Sequence, residues 1–239
     1  LNTLLLPYTI PAFAGDRITG FAEDYAFLCA GLLDLYDVTL DEKQLQWAAS
    51  LQDAMNKEFW DAERKMGFYI AGKHSDARII EDQDGAEPSA TSVALSNCVR
   101  LAELLDSEEL RTLATDIVRS KSAVLKKYPF AAPKMVTAYE RLESGGTQLP
   151  SSKILPKMLA AESQSGRSTR LLGFSSVIVP YPLVGADSWL LSRSEHLSAY
   201  RDAPVPSVFV CRNRACQLPV NTPEQLIETL KEMFPFFGG

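Results

Sequence analysis

Apolar residues recur with helical spacing over most of the first 143 positions. Between residues 21 and 36, Ala22, Tyr25, Cys29, Leu32, Leu33 and Tyr36 fall on one face of a helix. From Asp41 to Phe59 the same spacing runs through Leu45, Ala48, Leu51, Met55 and Phe59. Only Asp37–Leu40 separates the two patterns, so they predict antiparallel neighbouring helices. Gly67–Ile70 and Ala77–Ile80 are short β-like runs around Gly72–Asp76, which predicts a β-hairpin. Helical spacing then returns from Ser89 to Leu105, with Val93, Ala94, Cys98, Leu101 and Leu105 on one face. Ser107 is placed to cap a following helix that carries Leu110, Leu113, Ala114 and Ile117. A fifth helix is expected within Pro133–Leu142.

A shift of 65 positions superimposes the two helical pairs: Asp41 falls on Asp106, Leu45 on Leu110, Ala49 on Ala114 and Leu28 on Val93. Repeated helical hairpins are how α/α solenoids and toroids are written. Such an array needs at least about three units to bury a continuous core. Missing barrel hairpins, or another chain, are therefore expected to complete the fold.

The pattern changes near Glu143. Ser144–Thr147 and the polar stretch Ser163–Thr169 read as loops, and eight of the fourteen prolines lie between Pro150 and Pro223. Ser176–Val179 and Ser207–Val210 are strand-like, and Thr222 with Pro223 opens a terminal helix through Leu226, Ile227 and Leu230. The expected organisation is α/α-barrel hairpins over residues 16–143, a linker over 144–172 and a small α/β region over 173–239. The fold class is mainly α: a partial α/α toroid of helical hairpins with a short β-hairpin, followed by a small α/β C-terminal appendage.

Composition narrows the partners. Apolar residues make up 46% of the chain, and no run of eighteen apolar residues exists to span a membrane. A formal charge of −6 without a basic cluster repels nucleic acid. Leu4–Leu6 with Ala12–Gly15 faintly resembles the end of a signal peptide, but lacks an initiator Met and a basic start. The chain is therefore expected to begin inside a longer protein, with a cytoplasmic location favoured over a secreted one. Cys29 and Cys98 sit in apolar helical patterns, as small buried hydrophobes do. Cys211 and Cys216 form a C-x4-C pair, which reads as a local disulfide or two inert thiols ahead of half a zinc site. The histidines, His74 and His196, are assigned no catalytic or metal role, and no cofactor is expected. Nucleotide-binding glycine motifs and the Gly-x-Ser-x-Gly elbow are absent.

The candidate chemistry is acidic. Glu81–Glu87 (EDQDGAE) holds four acids in seven residues just before a helix, and Glu23-Asp24 opens the equivalent helix of the first hairpin. In a toroid, equivalent helix ends ring one mouth, so the two acid groups would share a pocket. Carboxylates facing one pocket can serve as general acid and base, one raising the other's pKa, as in glycosidases. Asp84 and Glu87 are the expected acid/base groups, with Glu23 and Asp24 completing the catalytic set and Asp24 accepting a substrate hydroxyl. Tyr25, Asp82 and Ser89 are assigned to substrate binding, and Phe21, Tyr25, Phe68 and Tyr69 could offer a stacking surface. Against this stands ordinary helix-start chemistry, because acids are favoured at helix N-termini by the free N–H groups and the macrodipole. The DQDGAE oxygens partly match a calcium loop but miss the twelve-residue pattern, so no metal site is assigned.

Glu23-Asp24-Tyr25-Ala26-Phe27, Gly31–Tyr36, Phe59-Trp60-Asp61, Asp82–Ser89 and then Val210–Cys216 with Pro219 occur in an order that resembles the C-terminal part of the spermatogenesis-associated, thioredoxin-domain-containing protein family. The resemblance covers most of Gly20–Ala138 and returns over about Trp189–Leu230. It implies an α/α barrel similar to N-acylglucosamine 2-epimerases and six-hairpin glycosidases, joined in that family to a thioredoxin-like domain. It also implies a connection to male fertility in animals. This chain lacks the thioredoxin-like domain with its Cys-x-x-Cys and the earlier barrel hairpins, and Thr147–Arg170 lacks the expected apolar strand. Two readings follow. The first is an acid-lined pocket that binds or processes a carbohydrate-like small molecule. The second is a non-catalytic interaction or scaffold module of a thioredoxin-domain protein.

Overall fold

The computed structural model describes residues 9–11, 17–73, 75–76, 78–81, 83–145, 147–151, 176–180, 188–198, 209–212 and 215–233. The described residues are mainly helical. It divides into two compact units, one of Leu1–Ala102 with Ser107–Glu143, the other of Glu103–Asp106 with Ser144–Gly239.

In the first unit, β1 (Thr9–Pro11) pairs antiparallel with β2 (Arg17–Thr19). Helix α1 (Ala22–Thr39) follows. Its N-cap Phe21 has no side-chain acceptor, and Asp24 compensates from the third helical position by accepting the Phe21 N–H at 2.8 Å. The helix ends at Leu40, which turns left-handed at φ 56° and donates its N–H to Tyr36 O at 2.7 Å. Helix α2 (Glu42–Phe59) starts at once, because the Asp41 carboxylate accepts from Lys43 N at 3.0 Å. The design repeats in α3 (Ala90–Leu105) and α4 (Glu108–Lys127). Asp106 is left-handed at φ 56°, and Ser107 Oγ accepts from Leu110 N at 3.3 Å. Helix α5 (Pro133–Ser144) begins with proline at its first position, after a 3₁₀ turn at Pro129–Ala131.

Helix ends, left-handed turn residues and caps fix the repeat at 66 positions rather than 65: Thr39 matches Leu105, Leu40 matches Asp106, Asp41 matches Ser107 and Glu42 matches Glu108. On that register the buried residues Ala48, Leu51 and Met55 of α2 correspond to Ala114, Ile117 and Lys121 of α4. Sequence matching favoured 65 because it aligned Asp41 with Asp106, two aspartates with different jobs. The first is a cap and the second is the turn residue before a cap.

Tyr36, Phe59, Leu33, Leu45, Met55, Leu95, Leu101 and Ile117 are among the fully buried side chains of this core. Each contributes roughly 1.5–3 kcal/mol by leaving water. Helices α1 and α3 lie side by side: Asn97 Nδ2 donates to Ala26 O at 2.8 Å, and the Arg100 guanidinium meets Asp34 at 2.7 Å and Asp37 at 2.8 Å. The segment expected as a β-hairpin closes on two isolated antiparallel bridges, Trp60 with Phe68 and Tyr69 with Ile80, with Ile70 N donating to Ile79 O at 2.9 Å. Gly67 sits at φ 139°, and a Cβ there would lie 3.0 Å from Thr91 Oγ1. Thr91 Oγ1 in turn accepts the Phe68 N–H at 3.2 Å.

In the second unit, β3 (Thr147–Ser151) runs parallel to β4 (Ser176–Pro180) and antiparallel to β5 (Cys211–Arg212), which pairs with β6 (Ala215–Cys216). Strand β3 falls in a stretch read from sequence as linker. Its TQLPS sequence has no apolar alternation, and Pro150 argues against a strand. The structure accommodates Pro150 because β5 pairs only with Thr147 and Gln148. Of the strand expected at Ser207–Val210, Phe209 and Val210 are buried coil and the described strand is Cys211–Arg212. Cys211 is disulfide-bonded, and its partner position across the β5–β6 register is Cys216. Short helices α6 (Trp189–Arg193) and α7 (Glu195–Ser198) precede α8 (Pro223–Met233), where Thr222 Oγ1 accepts from Gln225 N at 3.3 Å.

Candidate carboxylate site

The acidic residues divide into two groups according to whether backbone N–H groups already occupy them. Asp84 belongs to the first. Its Oδ1 accepts from Ser89 N at 3.0 Å, just ahead of α3, and its Oδ2 accepts from Lys134 N at 2.9 Å, in the first turn of α5. Its own N–H donates to Ala131 O at 2.8 Å. One carboxylate therefore fastens the acidic loop to the starts of two helices, the second of them 50 positions further along the chain. Asp24 is likewise committed, to the Phe21 N–H. Ser89 is buried; its Oγ hydrogen-bonds Ser92 Oγ at 3.0 Å and accepts from Ser92 N at 3.2 Å.

Glu23, Glu81 and Glu87 form the second group. Among the described residues none of the three side chains has a hydrogen bond or ion pair. Yet Glu23 feels the other two. The Glu23 carboxyl is raised above its ordinary value, chiefly by burial, then by the charges of Glu81 and Glu87, and last by Asp24. The charges of the EDQDGAE loop therefore reach the start of α1. Asp82, between these acids in sequence, lies outside the described residues, as do His74 and the side chain of His196.

The aromatic residues sort differently from the sequence expectation. Tyr25 and Phe68 are buried: Tyr25 packs against Phe59 with centroids 5.3 Å apart, and Phe68 against Trp60 at 5.3 Å. Arg78 covers the Tyr69 ring at 3.5 Å. Phe21 remains half exposed beside Glu23 in the chain. Sequence reading missed Tyr128 and Phe130, exposed aromatics in a T-shaped pair 6.0 Å apart, on the turn whose Ala131 carbonyl holds Asp84. Their signal was an apolar run, Tyr128-Pro129-Phe130, in a segment too short to belong to a core helix.

Among the described residues no group of three or more His, Cys, Asp or Glu is arranged to hold a metal ion, and no helix is long and apolar enough to cross a membrane. Cys29 and Cys98 are free and buried. Burial pushes the Cys29 thiol up to about 12, and also raises Cys98. Cys29 spends its S–H on Ala48 O at 3.4 Å.

No family model matches this chain. It is 34% identical over 230 residues to an uncharacterised protein of Caenorhabditis elegans, a match that covers 93% of this chain and 29% of that protein. It is 31% identical over 223 residues to human spermatogenesis-associated protein 20, covering 88% of this chain and 27% of that protein, and 31% identical over 224 residues to the mouse protein of the same name. The chain thus spans less than a third of the length of the curated relatives it matches.

Proposed function

From these matches, which support the spermatogenesis-associated protein 20 family, we propose that the chain is part of an α/α toroid whose mouth binds a hydroxyl-rich, carbohydrate-like ligand through Glu23, Glu81 and Glu87. The observation that carries this reading is that Glu23, Glu81 and Glu87 have no side-chain hydrogen bond or ion pair among the described residues, while burial and the charges of Glu81 and Glu87 raise the Glu23 carboxyl. A carboxyl whose proton is held more tightly by burial and by neighbouring acids is equipped to donate it, and the oxygens of those neighbours can accept hydroxyl hydrogens. Free carboxylates without protein partners are the groups a polyol can address. Phe21, Tyr128 and Phe130 supply exposed aromatic surface on the elements that carry or hold the acids.

Roles within the site follow from who is free. Glu23 takes the acid role and Glu87 the base. Asp84 positions the loop, because both of its oxygens face backbone N–H groups. Asp24 and Ser89 shape the two helix starts. The toroid is supported by the 66-position repeat and by the lateral α1–α3 contacts. Calorimetric titration against a panel of sugars and sugar phosphates tests the proposal. Binding weakened at least tenfold by Glu23→Gln and by Glu87→Gln supports it. The absence of any binding, or binding indifferent to both substitutions, removes it.

A second reading is favoured by one observation: Asp24 and Asp84 do structural work. On it the segment is a non-catalytic interaction or scaffold module of a longer, thioredoxin-domain protein linked to spermatogenesis, and the acids serve folding alone.

A further inference from the structure

Helix α1 has two apolar faces. Ala22, Tyr25, Ala26, Cys29, Leu32, Leu33 and Tyr36 fill the core. On the other side Phe27, Leu28, Leu35 and Val38 stand out into solvent, from 38% to 82% exposed, and a Cβ placed on Gly31 would meet nothing within 4 Å. These residues lie three, four and seven apart, so they form one ridge. A helix apolar on both sides belongs between neighbours.

The 66-position repeat indicates what kind of neighbour would fit this face. Phe27, Leu28, Gly31 and Leu35 correspond to Val93, Ala94, Asn97 and Leu101 of α3, all of which are buried. Asn97, the counterpart of Gly31, touches the side of α1 through Ala26 O. The positions that α3 buries, one of them against α1, are thus the positions that α1 leaves open. Charge narrows the occupant further. Helix α1 carries Glu23, Asp24, Asp34 and Asp37 and no cation, and the cation it meets in the established contact is Arg100 of α3. A second copy would bring two helices of four carboxylates together without a counter-charge.

We infer that the Phe27–Val38 ridge is the seat of the inner helix of a further helical hairpin, apolar along the contact and basic at its flank. Its source is sequence of the kind that the longer relatives carry outside the matched segment. This chain and the unmatched remainder of the Caenorhabditis elegans relative, expressed together and separately, supply the test. The expected result is a one-to-one complex that Leu28→Glu with Leu35→Glu weakens about 100-fold, while the melting of this chain alone is unchanged. No complex with a folded remainder, or a complex equally tight with the double variant, overturns the inference. A dimer of this chain alone that the double variant dissolves also overturns it, in favour of a second copy. Should the remainder fail to fold, the same two aligned positions are made glutamate in the intact relative. A fall of several degrees in its Tm is expected there, and an unchanged Tm refutes the seat.

Discussion

Asp84→Ala separates a positioning residue from a binding one. The substitution removes the acceptor for Ser89 N at 3.0 Å and for Lys134 N at 2.9 Å, leaving two helix starts short of a partner. Loss of one N-cap acceptor costs about 1 kcal/mol, within a range of about 0.5–2. Hydrogen bonds to a charged acceptor sit toward the upper part of that range. Two such bonds in a half-buried site give roughly 2–3 kcal/mol, discounted for the water that can reach freed N–H groups. Asp84→Asn keeps one carbonyl oxygen and should lose roughly half as much. Urea unfolding followed by Trp47 and Trp60 fluorescence reads the first unit, and amide hydrogen exchange at Ser89 and Lys134 reads the two bonds locally. A loss of about 2 kcal/mol appears as roughly a 30-fold drop in exchange protection. Protection at both amides unchanged, with stability within about 0.5 kcal/mol of the parent, would refute the double clamp.

Other substitutions probe the frame around the site. Gly67→Ala should cost at least about 2 kcal/mol, since φ 139° is strained for alanine and its Cβ would crowd Thr91 and Ile80; urea midpoints check it. Arg100→Ala should cost about 1–3 kcal/mol at neutral pH by stranding the half-buried Asp37. Burial already raises Asp37 despite the opposing pull of Arg100, so removing that pull raises it further. A raised folded-state carboxyl favours the fold at low pH and is a burden above its own pKa, so the Arg100→Ala deficit should shrink as pH falls toward 4, as denaturation at pH 7 and pH 4 would show. Native Cys29 and Cys98 should not react with a thiol reagent at pH 8 until the first unit unfolds, because both are buried and burial suppresses their thiolates.

Much of the helical frame was legible from spacing alone. The pattern from 41 to 59 became α2 at Glu42–Phe59, and that from Ser89 became α3 at Ala90–Leu105. Ser107 caps α4 as its position before an acidic first turn implies. Capping is local, so residues a few positions apart reveal it. Asp84 shows where locality ends. Its bond to Ser89 spans five positions, but its bond to Lys134 spans 50 and depends on how the α4–α5 turn comes back to the loop. The free and the occupied acids look alike in the sequence. Tyr25 and Phe59 looked like one potential ligand surface and one core residue, yet pack together, because helical position rather than residue type decides which face an aromatic ring takes. Strand β3 was hidden for a similar reason, since its partner Ser176–Pro180 lies far along the chain.

Whether Glu23 shares its surroundings with Glu81 and Glu87 is tested most directly by a carboxyl-carbon NMR titration of Glu23. The Glu23 midpoint should lie above its ordinary value of 4.5 and fall back stepwise in Glu81→Gln, in Glu87→Gln and in the double variant. Because a raised folded-state value disfavours the fold once Glu23 ionises, Glu23→Gln should gain stability relative to the parent as pH rises through that midpoint, by no more than about 0.5 kcal/mol at so solvated a site. A Glu23 midpoint at or below 4.5 that neither substitution moves would contradict the shared site.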